Sequence, residues 1–403
     1  MRYLPLANIM HYPLRSALSA LGIGIGVCML ITLSGLSRGT LSEIADRWES
    51  VDAELIVLPR GWGESAADKS GAGLPDRHAE RIMKDHADLV RHVVPIFTWP
   101  VKLAGQDQLA VGVDGNDLTM LSGGRLPTGR MFDPEGNFAR WLEQKLLTPA
   151  KDDQLLEITE QDLQTEGRNG LELIIDTRLA QAGGYRLNQE VFTANHHWTI
   201  VGIVPTGAMS RVFLPRRTAQ FLFASGDLRR STLMFVKLRE GVDVGPASRA
   251  IADSTGQDVI PLARYRGMLQ ERFGIMYLYV DAVNVLALAI AFLFIMVTLY
   301  MMVLQRTREI AILKSAGASS WFLVRQVLAE SLLLTGAGVT AGVGLSFLAG
   351  MGIQAVRPLL TVTITAQTIV QSAALALVGA LSAGAYPAWR AVRVDMVEAL
   401  SYE

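Results

Sequence analysis

The chain has 403 residues, half of them hydrophobic, and a mean hydropathy of +0.29, which is typical of a membrane protein rather than of a soluble domain. The formal net charge of −1 excludes a whole-protein electrostatic attraction to nucleic acid. The single cysteine, Cys28, excludes an intramolecular disulfide, and its position in an apolar run indicates a packing role.

The acidic residues are unevenly distributed along the chain. Outside residues 38–276 the sequence has only Asp281, Glu309, Glu330, Asp395, Glu398 and Glu403. The remaining segments are long apolar runs separated by short basic stretches. This pattern predicts membrane-spanning helices with one large polar insertion.

Residues 1–37 predict an interfacial helix followed by the first membrane span. Arg2 and Arg15 flank apolar side chains, which is typical of a helix lying at the membrane surface. Residues 16–37 are uncharged and about as long as the roughly 20 residues needed to cross a bilayer. A cleaved signal peptide is the alternative interpretation, but the run is too long and no A-x-A site follows it.

Residues 38–276 predict an extracytoplasmic α+β domain, either one unit or two subdomains. Strand-like and helix-like runs mix without regular alternation, which favours α+β. The predicted strands are 53–58, 90–97, 109–113, 171–175, 198–204 and 233–238, and the predicted helices are 75–85, 138–145, 217–223 and 244–255. Residues 135–170 are polar and poor in aromatic side chains, which indicates a surface insertion.

Residues 277–403 predict a permease domain with three further spans, at 282–304, 331–356 and 369–385. Short loops rich in Lys and Arg remain in the cytoplasm. The loop at 305–330 contains Arg306, Arg308, Lys314 and Arg325, and the C-terminal segment contains Arg390 and Arg393. The fold class is therefore an α-helical membrane domain of four spans with both termini cytoplasmic, located in the inner membrane and in contact with lipid.

Two sets of small residues predict close helix–helix contacts. The first span contains a G-x-x-x-G pair, Gly22 and Gly26. The third span has small residues at four-residue intervals: Gly338, Gly342, Ser346 and Gly350. Small residues allow helix backbones to approach closely within a bilayer.

The loop at 305–330 contains a short amphipathic pattern. Ile310, Leu313 and Ala316 recur at helical spacing, and Gly317 ends the helix. The opposite face is charged, with Arg308, Glu309 and Lys314. Such a helix at the cytoplasmic face suits docking onto a soluble partner. The alternative is a solvated connector whose charges only fix the orientation of the spans.

Three stretches of this sequence resemble the FtsX-like/MacB-like family of ABC transporter permeases. Residues 308–317, REIAILKSAG, resemble the hallmark loop of that family, with Ala311 for the usual second glycine and Lys314 for the usual arginine. Residues 386–400 resemble its closing motif, and residues 13–26 resemble its first span. The three stretches occur in the family order.

The resemblance implies a permease subunit that works as a homodimer on cytoplasmic ABC ATPase subunits, which bind ATP and Mg. The coupling helix would comprise Arg308, Glu309, Ile310, Leu313, Lys314 and Gly317. The implied mechanism is mechanotransmission. ATP-driven closure on the cytoplasmic side moves the extracytoplasmic domains, and this movement exports or releases a hydrophobic or amphipathic cargo. A periplasmic adaptor and an outer-membrane channel are further candidate partners.

Catalytic and metal-binding motifs are missing from the sequence, which predicts a non-catalytic subunit without its own cofactor or metal. It contains no G-x-x-x-x-G-K-[ST] and no H-E-x-x-H. Its G-x-S-x-G match, Gly35–Gly39, lies at the end of the apolar first span and not on a strand-to-helix turn, so it does not indicate a hydrolase nucleophile. The adjacent pair His196–His197 would point to opposite faces of a strand and makes a poor chelate. Asp281 and Glu330 fall at the edges of spans, where an interfacial role is favoured.

Two other functional classes remain as alternatives. One is a signalling permease that activates a periplasmic hydrolase by the same movement. The other is a secondary transporter, which requires internal repeats or ionisable residues near the centre of a span. The sequence shows neither of those two features.

Overall fold

The computed structural model describes residues 13–62, 73–132, 171–224, 229–272, 274–305, 312 and 314–392. The chain divides into two compact units. We call Met1–Leu41 with Gly274–Glu403 the helical unit, and Ser42–Phe273 the sheet unit. The sequence predicted these transitions at 37/38 and 276/277. The predicted interfacial helix at 1–15 and the insertion at 135–170 lie largely outside the described residues.

The first described element is one long helix that contributes to both units. This helix, α1, covers Pro13–Glu49. Most of its length is uncharged, and its last turns carry the pattern LSEIADRWE, in which acidic and basic side chains appear. The change from apolar to charged composition falls close to Leu41, the last residue of the helical unit in this helix.

The sheet unit mixes short strands and helices without regular alternation. Its strands are β1 Leu55–Leu58, β2 Leu74–Pro75, β3 Val90–Leu103, β4 Gln106–Val113, β5 Thr128–Gly129, β6 Glu172–Asp176, β7 Glu190–Thr193, β8 His196–Val204, β9 Val212–Pro215, β10 Arg230–Ser231, β11 Leu233–Leu238 and β12 Asp258–Pro261. Its helices are α2 Arg77–Asp85, α3 Leu118–Leu121, α4 Thr177–Gly183, α5 Arg216–Phe223, α6 Val244–Thr255 and α7 Leu262–Arg272.

Ten of the described strands form one mixed sheet. Their order is β12, β1, β11, β3, β4, β9, β6, β8 and β5, with β7 paired to β8, and β2 pairs separately with β10. Pairing is antiparallel except for β4 with β9 and β6 with β8. The mixture of parallel and antiparallel pairs with unevenly placed helices confirms the α+β prediction.

Both faces of the sheet are covered. In β1, Leu55 and Val57 belong to one core cluster, with Ile82 of α2 and Ile251 of α6. Ile56 and Leu58 belong to a second cluster on the other face. Successive side chains of a strand point to opposite faces, so a four-residue apolar strand indicates burial on both sides.

The six predicted strands are all present, with corrected limits. Strand β3 extends beyond the predicted 90–97 to Leu103, because Ala104 and Gly105 form a tight turn with positive φ that pairs β3 with β4. Helix α2 begins at Arg77 rather than at 75, because Pro75 pairs with Arg230 in the small sheet. The predicted helix at 138–145 lies outside the described residues.

The described part of the helical unit contains three further long helices. These are α8 Gly274–Gln305, α9 Ser320–Val356 and α10 Ala366–Val392. Among the described residues, three helical stretches are long and apolar enough to cross a membrane: Ser16–Glu49, Ser320–Val356 and Ala366–Tyr386. Helix α8 occupies the position of the predicted second span, and several of its side chains lie outside the described residues.

One apolar cluster contains side chains from each of these four long helices, α1, α8, α9 and α10. Ile23, Val27 and Ile31 of α1 meet Leu334 of α9 and three alanines of α10, and side chains of α8 pack against them. The alanines are Ala376, Ala380 and Ala383, spaced at three or four residues. Small side chains at that spacing form one helix face on which neighbouring helices can approach closely.

Candidate functional site

The predicted coupling residues fall only partly within the described chain. Arg308, Glu309, Ile310 and Leu313 lie outside it. Lys314 and Gly317 are described. The Gly317 N–H donates to the Lys314 carbonyl at 3.1 Å, and the Ala316 N–H donates to the Ile312 carbonyl at 3.0 Å. Gly317 has a φ of 89°, a conformation that suits glycine, so this residue ends the helical turn as its position predicted.

The residues after this turn start the next helix and leave apolar side chains exposed. The Oγ of Ser319 accepts a hydrogen bond from the Phe322 N–H at 3.2 Å and caps α9. Ile312 is 51% exposed and Trp321 is 71% exposed. The turn therefore presents large apolar side chains beside a tightly capped backbone. We call Ile312, Gly317 and Trp321 the Gly317 turn.

Helices α1 and α9 approach closely at glycines. A Cβ added at Gly338 would lie 2.6 Å from the Cβ of Ile23. One added at Gly342 would lie 2.7 Å from the carbonyl oxygen of Gly24 and 2.8 Å from the Cβ of Val27. Carbon atoms do not approach to such distances, so only glycine allows this contact.

The α1 glycine that faces α9 is Gly24, which the sequence pattern did not single out. A Cβ on Gly24 would lie 3.2 Å from the Gly338 carbonyl oxygen. The predicted residues are close by: Gly26 is buried and Gly22 is half-buried. Glycine occurs at every second position from 22 to 26, so spacing alone could not select the one that meets α9. A packing role for Gly22 and Gly26 stays a prediction.

The other two small residues predicted on α9 have different neighbours. Ser346 is buried, and its Oγ donates to the Val343 carbonyl at 2.7 Å within the same helix. A Cβ at Gly350 would lie 3.6 Å from Cγ1 of Val362, an ordinary contact. The stripe therefore meets α1 at Gly338 and Gly342 and the segment before α10 at Gly350.

Glu43, near the end of α1, lies among three arginines. Its Oε1 is 2.7 Å from Nη2 of both Arg47 and Arg211, and its Oε2 is 2.8 Å from Nη1 of Arg178. The Oδ2 of Asp176 lies 3.5 Å from Arg47 and 3.9 Å from Arg211. Asp176 is almost fully buried, and the Glu43, Arg47 and Arg211 side chains are 11–14% exposed. These five residues are the Glu43 cluster.

Three elements of the sheet unit position the partners of Glu43. Asp176 ends β6 and caps α4, because its Oδ1 accepts from the Leu179 N–H at 2.7 Å. Arg178 lies in the first turn of α4, and Arg211 directly precedes β9. The Asp176 N–H also donates to the Arg211 carbonyl at 2.9 Å. The last turns of α1 are thus bonded to structure more than a hundred residues away in sequence.

An aromatic contact lies near the same end of α1. The Trp48 ring centroid is 5.1 Å from that of Tyr265 in α7 and 6.1 Å from that of Phe235 in β11. Tyr265 and Phe235 are fully buried. Helix α1 leads the chain into the sheet unit and α7 ends that unit, so its entry and exit helices pack together within one core.

The Glu43, Arg47, Arg211 and Asp176 side chains of the Glu43 cluster are largely buried from solvent. Burial raises the pKa of the Asp176 carboxyl, and the bond from Leu179 and the two nearby arginines do not fully offset that effect. The distances of 3.5 and 3.9 Å to Arg47 and Arg211 are long, so their attraction is weak. Networks of this kind add little net stability but are costly to break, because a broken pair leaves a buried charge uncompensated.

The remaining candidates from the sequence do not form a catalytic site. His196 and His197 begin β8 and pair with Thr193 and Phe192, and the His197 ring lies 5.0 Å from that of Phe192. No group of three or more His, Cys, Asp or Glu residues in the described part of the chain is arranged to hold a metal. Glu330 is 4% exposed within α9.

Sequence reasoning missed the Glu43 cluster. The available signal was an acidic residue on the amphipathic stretch 41–49, together with arginines at 178 and 211 in runs otherwise rich in apolar side chains. Only the pairing of β6 with β8 and β9 brings those positions together. A pattern with local spacing cannot reveal such a group.

Comparison with known families matches most of the chain. The model of the MacB-like periplasmic core domain matches residues 16–254, and that of the FtsX-like permease C-terminal matches residues 282–396. The crystal structure of the periplasmic region of MacB from Actinobacillus actinomycetemcomitans covers 55% of this chain and 95% of its own, at 11% identity and a TM-score of 0.37. A likeness at that TM-score carries no argument.

Curated relatives align along almost the whole chain. The macrolide export ATP-binding/permease protein MacB of Chlorobium luteolum is 24% identical over 417 residues, which cover 98% of this chain and 59% of that protein. MacB 2 of Aeromonas hydrophila is 22% identical, with the same coverage. The pyoverdine export ATP-binding/permease protein PvdT of Pseudomonas savastanoi is 28% identical over 54% of this chain and 35% of its own length.

These matches establish the family of this chain and the share of its relatives' length that it spans. The chain spans 59% of the length of the first two relatives, whose names include an ATP-binding part. The core-domain model alone covers more than half of the residues, and the permease model follows it in order. The chain therefore belongs to the FtsX-like, MacB-like family of ABC transporter permeases.

Proposed function

We propose that this chain is the membrane-spanning permease subunit of an ABC system that exports a hydrophobic or amphipathic cargo. The relatives are named as export permeases, and three described helices are long and apolar enough to span a membrane. The sequence has no G-x-x-x-x-G-K-[ST] loop for nucleotide phosphates. We therefore place ATP and Mg on an ATPase outside these 403 residues, and we propose that two permease chains form a dimer on it.

The proposed topology has four spans, cytoplasmic termini and residues 38–276 outside the cytoplasm. The basic side chains of 305–330 support it. A reporter active only in the periplasm, fused at Gly167, and one active only in the cytoplasm, fused at Ala318, should both give signal. The reverse pattern would reject the topology and the assignment of the loop.

The Gly317 turn is the proposed docking point for the ATPase. Exposed apolar side chains beside a rigid turn are suited to burial against a protein partner. Trp321→Ala should weaken binding of the ATPase by about thirtyfold and lower its stimulation accordingly, since a buried aromatic anchor contributes about 2 kcal/mol or more to an interface. Leu348→Ala is the matched control, because Leu348 is an exposed apolar residue of the same helix at 64%. If Trp321→Ala stimulates the ATPase as well as the unaltered chain does, the Gly317 turn only connects two spans and does not dock the ATPase.

The observation that carries the proposed mechanism is the Glu43 cluster. Helix α1 contributes to both units, and its last turns are held by charges from β6, α4 and the start of β9. A helix fixed in this way can pass a tilt to the sheet unit, whereas a flexible junction would dissipate it. This supports mechanotransmission, in which ATP hydrolysis on one side moves the extracytoplasmic domain.

The mechanism is tested by separating ATP hydrolysis from transport. The chain is reconstituted with its co-purifying ATPase, and hydrolysis and cargo export are measured on the same vesicles. Glu43→Gln should retain stimulated hydrolysis and lose most export, because the uncharged amide no longer holds three arginines. Glu49→Gln, an exposed position on the same helix, is the control and should retain both. Full export by Glu43→Gln would argue against transmission through this contact.

A further inference from the structure

A cavity of about 500 Å³ lies among helices α1, α8 and α10 of the helical unit. Each helix contributes a stripe of lining residues at helical spacing. On α1 these include Leu30, Ser34 and Arg38, and on α10 they include Thr368 and Leu375. The size is within the range of roughly 300–1,000 Å³ typical of small-molecule sites. Neither the family match nor the proposed transport mechanism assigns a role to this cavity.

The lining changes from polar to apolar in the same direction on α1 and α10, and on α8 the polar Asp281 and Asn284 lie between Val280 and Val285. Arg38 is the lining residue of α1 nearest in sequence to the sheet unit, and Asp281 lies near the start of α8, which follows that unit. Leu30, Val285 and Leu375 line the cavity further along the three helices. In the proposed topology the polar end faces the extracytoplasmic side and the apolar end faces the bilayer centre. An amphiphile with its head outward fits that gradient.

Asn284 supplies a second, independent observation. Its Nδ2 donates to the Oγ of Ser34 at 3.0 Å, and both residues line the cavity. Its Oδ1 is buried and has no hydrogen-bond partner among the described residues. A buried acceptor without a donor is costly, so such an atom at a cavity wall indicates a missing donor. Because this oxygen has almost no accessible surface, a ligand N–H or O–H group would reach it once the Asn284 side chain turns toward the cavity.

We propose that this cavity binds one bilayer lipid whose head carries both a phosphate and a primary ammonium, that is, a phosphoethanolamine lipid. The guanidinium of Arg38 suits the phosphate, and the carboxylate of Asp281 with the Oδ1 of Asn284 suits the ammonium. Leu30 and Leu375 contact the first part of the acyl chains. This inference rests on the proposed placement of these helices in the membrane.

Photocrosslinking in vesicles tests the proposal. The full chain is reconstituted in phosphatidylcholine vesicles doped with phosphatidylethanolamine that carries a photoactivatable group near the glycerol end of one acyl chain. Adducts are mapped by peptide mass spectrometry. We expect labelling of Leu30, which lines the cavity and is only 5% exposed. This labelling should be reduced about tenfold when the doped lipid is phosphatidylglycerol, which lacks the ammonium.

Variants separate recognition from non-specific lipid contact. Leu375→Trp fills the cavity and should lower the labelling about tenfold, whereas Val378→Trp, at a 62% exposed position of the same helix, should not. Asp281→Asn should remove the preference for phosphatidylethanolamine, and Arg38→Gln should lower labelling by both lipids. Equal labelling by both lipids in the unaltered chain, or no effect of Leu375→Trp, would overturn the proposal.

An internal reference distinguishes this inference from the proposed function. Ile25 and Leu293 are exposed apolar residues, at 56% and 52%, and should be labelled by any lipid if these helices span the bilayer. Labelling there without labelling in the cavity would reject the lipid site alone. A lack of labelling at both places would reject the placement of the helices in the membrane.

Discussion

Helix α1 is held by different chemistry in each of the two units to which it contributes. In the helical unit, Gly24 meets Gly338 and Gly342, and no side chain separates the backbones. In the sheet unit, Glu43 and Arg47 are held by charged side chains from three other elements. The contact between α1 and α9 requires glycines, which have no side-chain atoms to keep the backbones apart. The contact at the end of α1 requires charged side chains.

The difference follows from the surroundings that we propose for each unit. Lipid tails are as apolar as leucine, so helices in a bilayer gain little from apolar burial and associate through close packing of small residues. A domain in water has a hydrophobic core already, and a buried charged network there specifies one geometry at a cost in desolvation. The glycine contact should therefore be sensitive to volume, and the Glu43 cluster should be sensitive to charge.

Gly342→Leu should have the largest effect. Its Cβ would overlap the Gly24 carbonyl, a backbone atom that cannot rotate away, so we expect a loss of more than about 3 kcal/mol and little folded protein. Yield of monodisperse protein in detergent and its unfolding temperature measure this loss. Gly344→Leu is the matched control, because nothing lies within 4 Å of a Cβ there. Equal behaviour of the two variants would mean that the close contact between α1 and α9 is not essential.

Glu43→Gln should have an intermediate effect. The change preserves shape but leaves the positive charges of Arg47 and Arg211 less compensated, so we expect about 2–3 kcal/mol less stability. Thermal unfolding followed by tryptophan fluorescence is suitable, since Trp48 lies in the same region. Glu49→Gln is the control on the exposed side of α1. A stable Glu43→Gln variant would show that aromatic packing alone holds this end of the helix.

Asp176→Asn should have the smallest effect, visible as a dependence on pH. Burial raises the pKa of Asp176 above its ordinary value of 3.8, so the folded state binds more protons than the unfolded state between the two pKa values. The contribution of this carboxyl to stability is therefore greatest below pH 3.8 and falls as pH rises through that window. The unfolding temperature of the unaltered chain should fall relative to that of Asp176→Asn as pH is raised.

The pH experiment on Asp176→Asn needs a control variant, and one result would contradict the expectation. The asparagine retains an oxygen that can accept from the Leu179 N–H, so the helix cap is kept. Asp46→Asn, at an exposed position of α1, is the control for the introduction of an asparagine. A fall in the stability of the unaltered chain relative to Asp176→Asn on acidification would mean that the arginines dominate over burial.

Local sequence determined much of the architecture. Apolar runs predicted the long helices and the strands because side-chain periodicity and length are properties of contiguous residues. Gly317 predicted the end of a turn because glycine reaches positive φ with little strain, and its φ of 89° agrees. The family resemblance of residues 308–317 and of both ends of the chain was also readable without a structure and is confirmed by the matched families.

Tertiary structure decided which of these residues meet. Glu43 reaches Arg178 and Arg211 only because β6 pairs with β9, and residues so distant in sequence leave no shared pattern. Gly24 rather than another glycine meets α9 because the rotation and depth of α1 depend on packing against its neighbours. Spacing along the chain sets the face on which a residue lies, but only the packed fold sets what lies opposite that face.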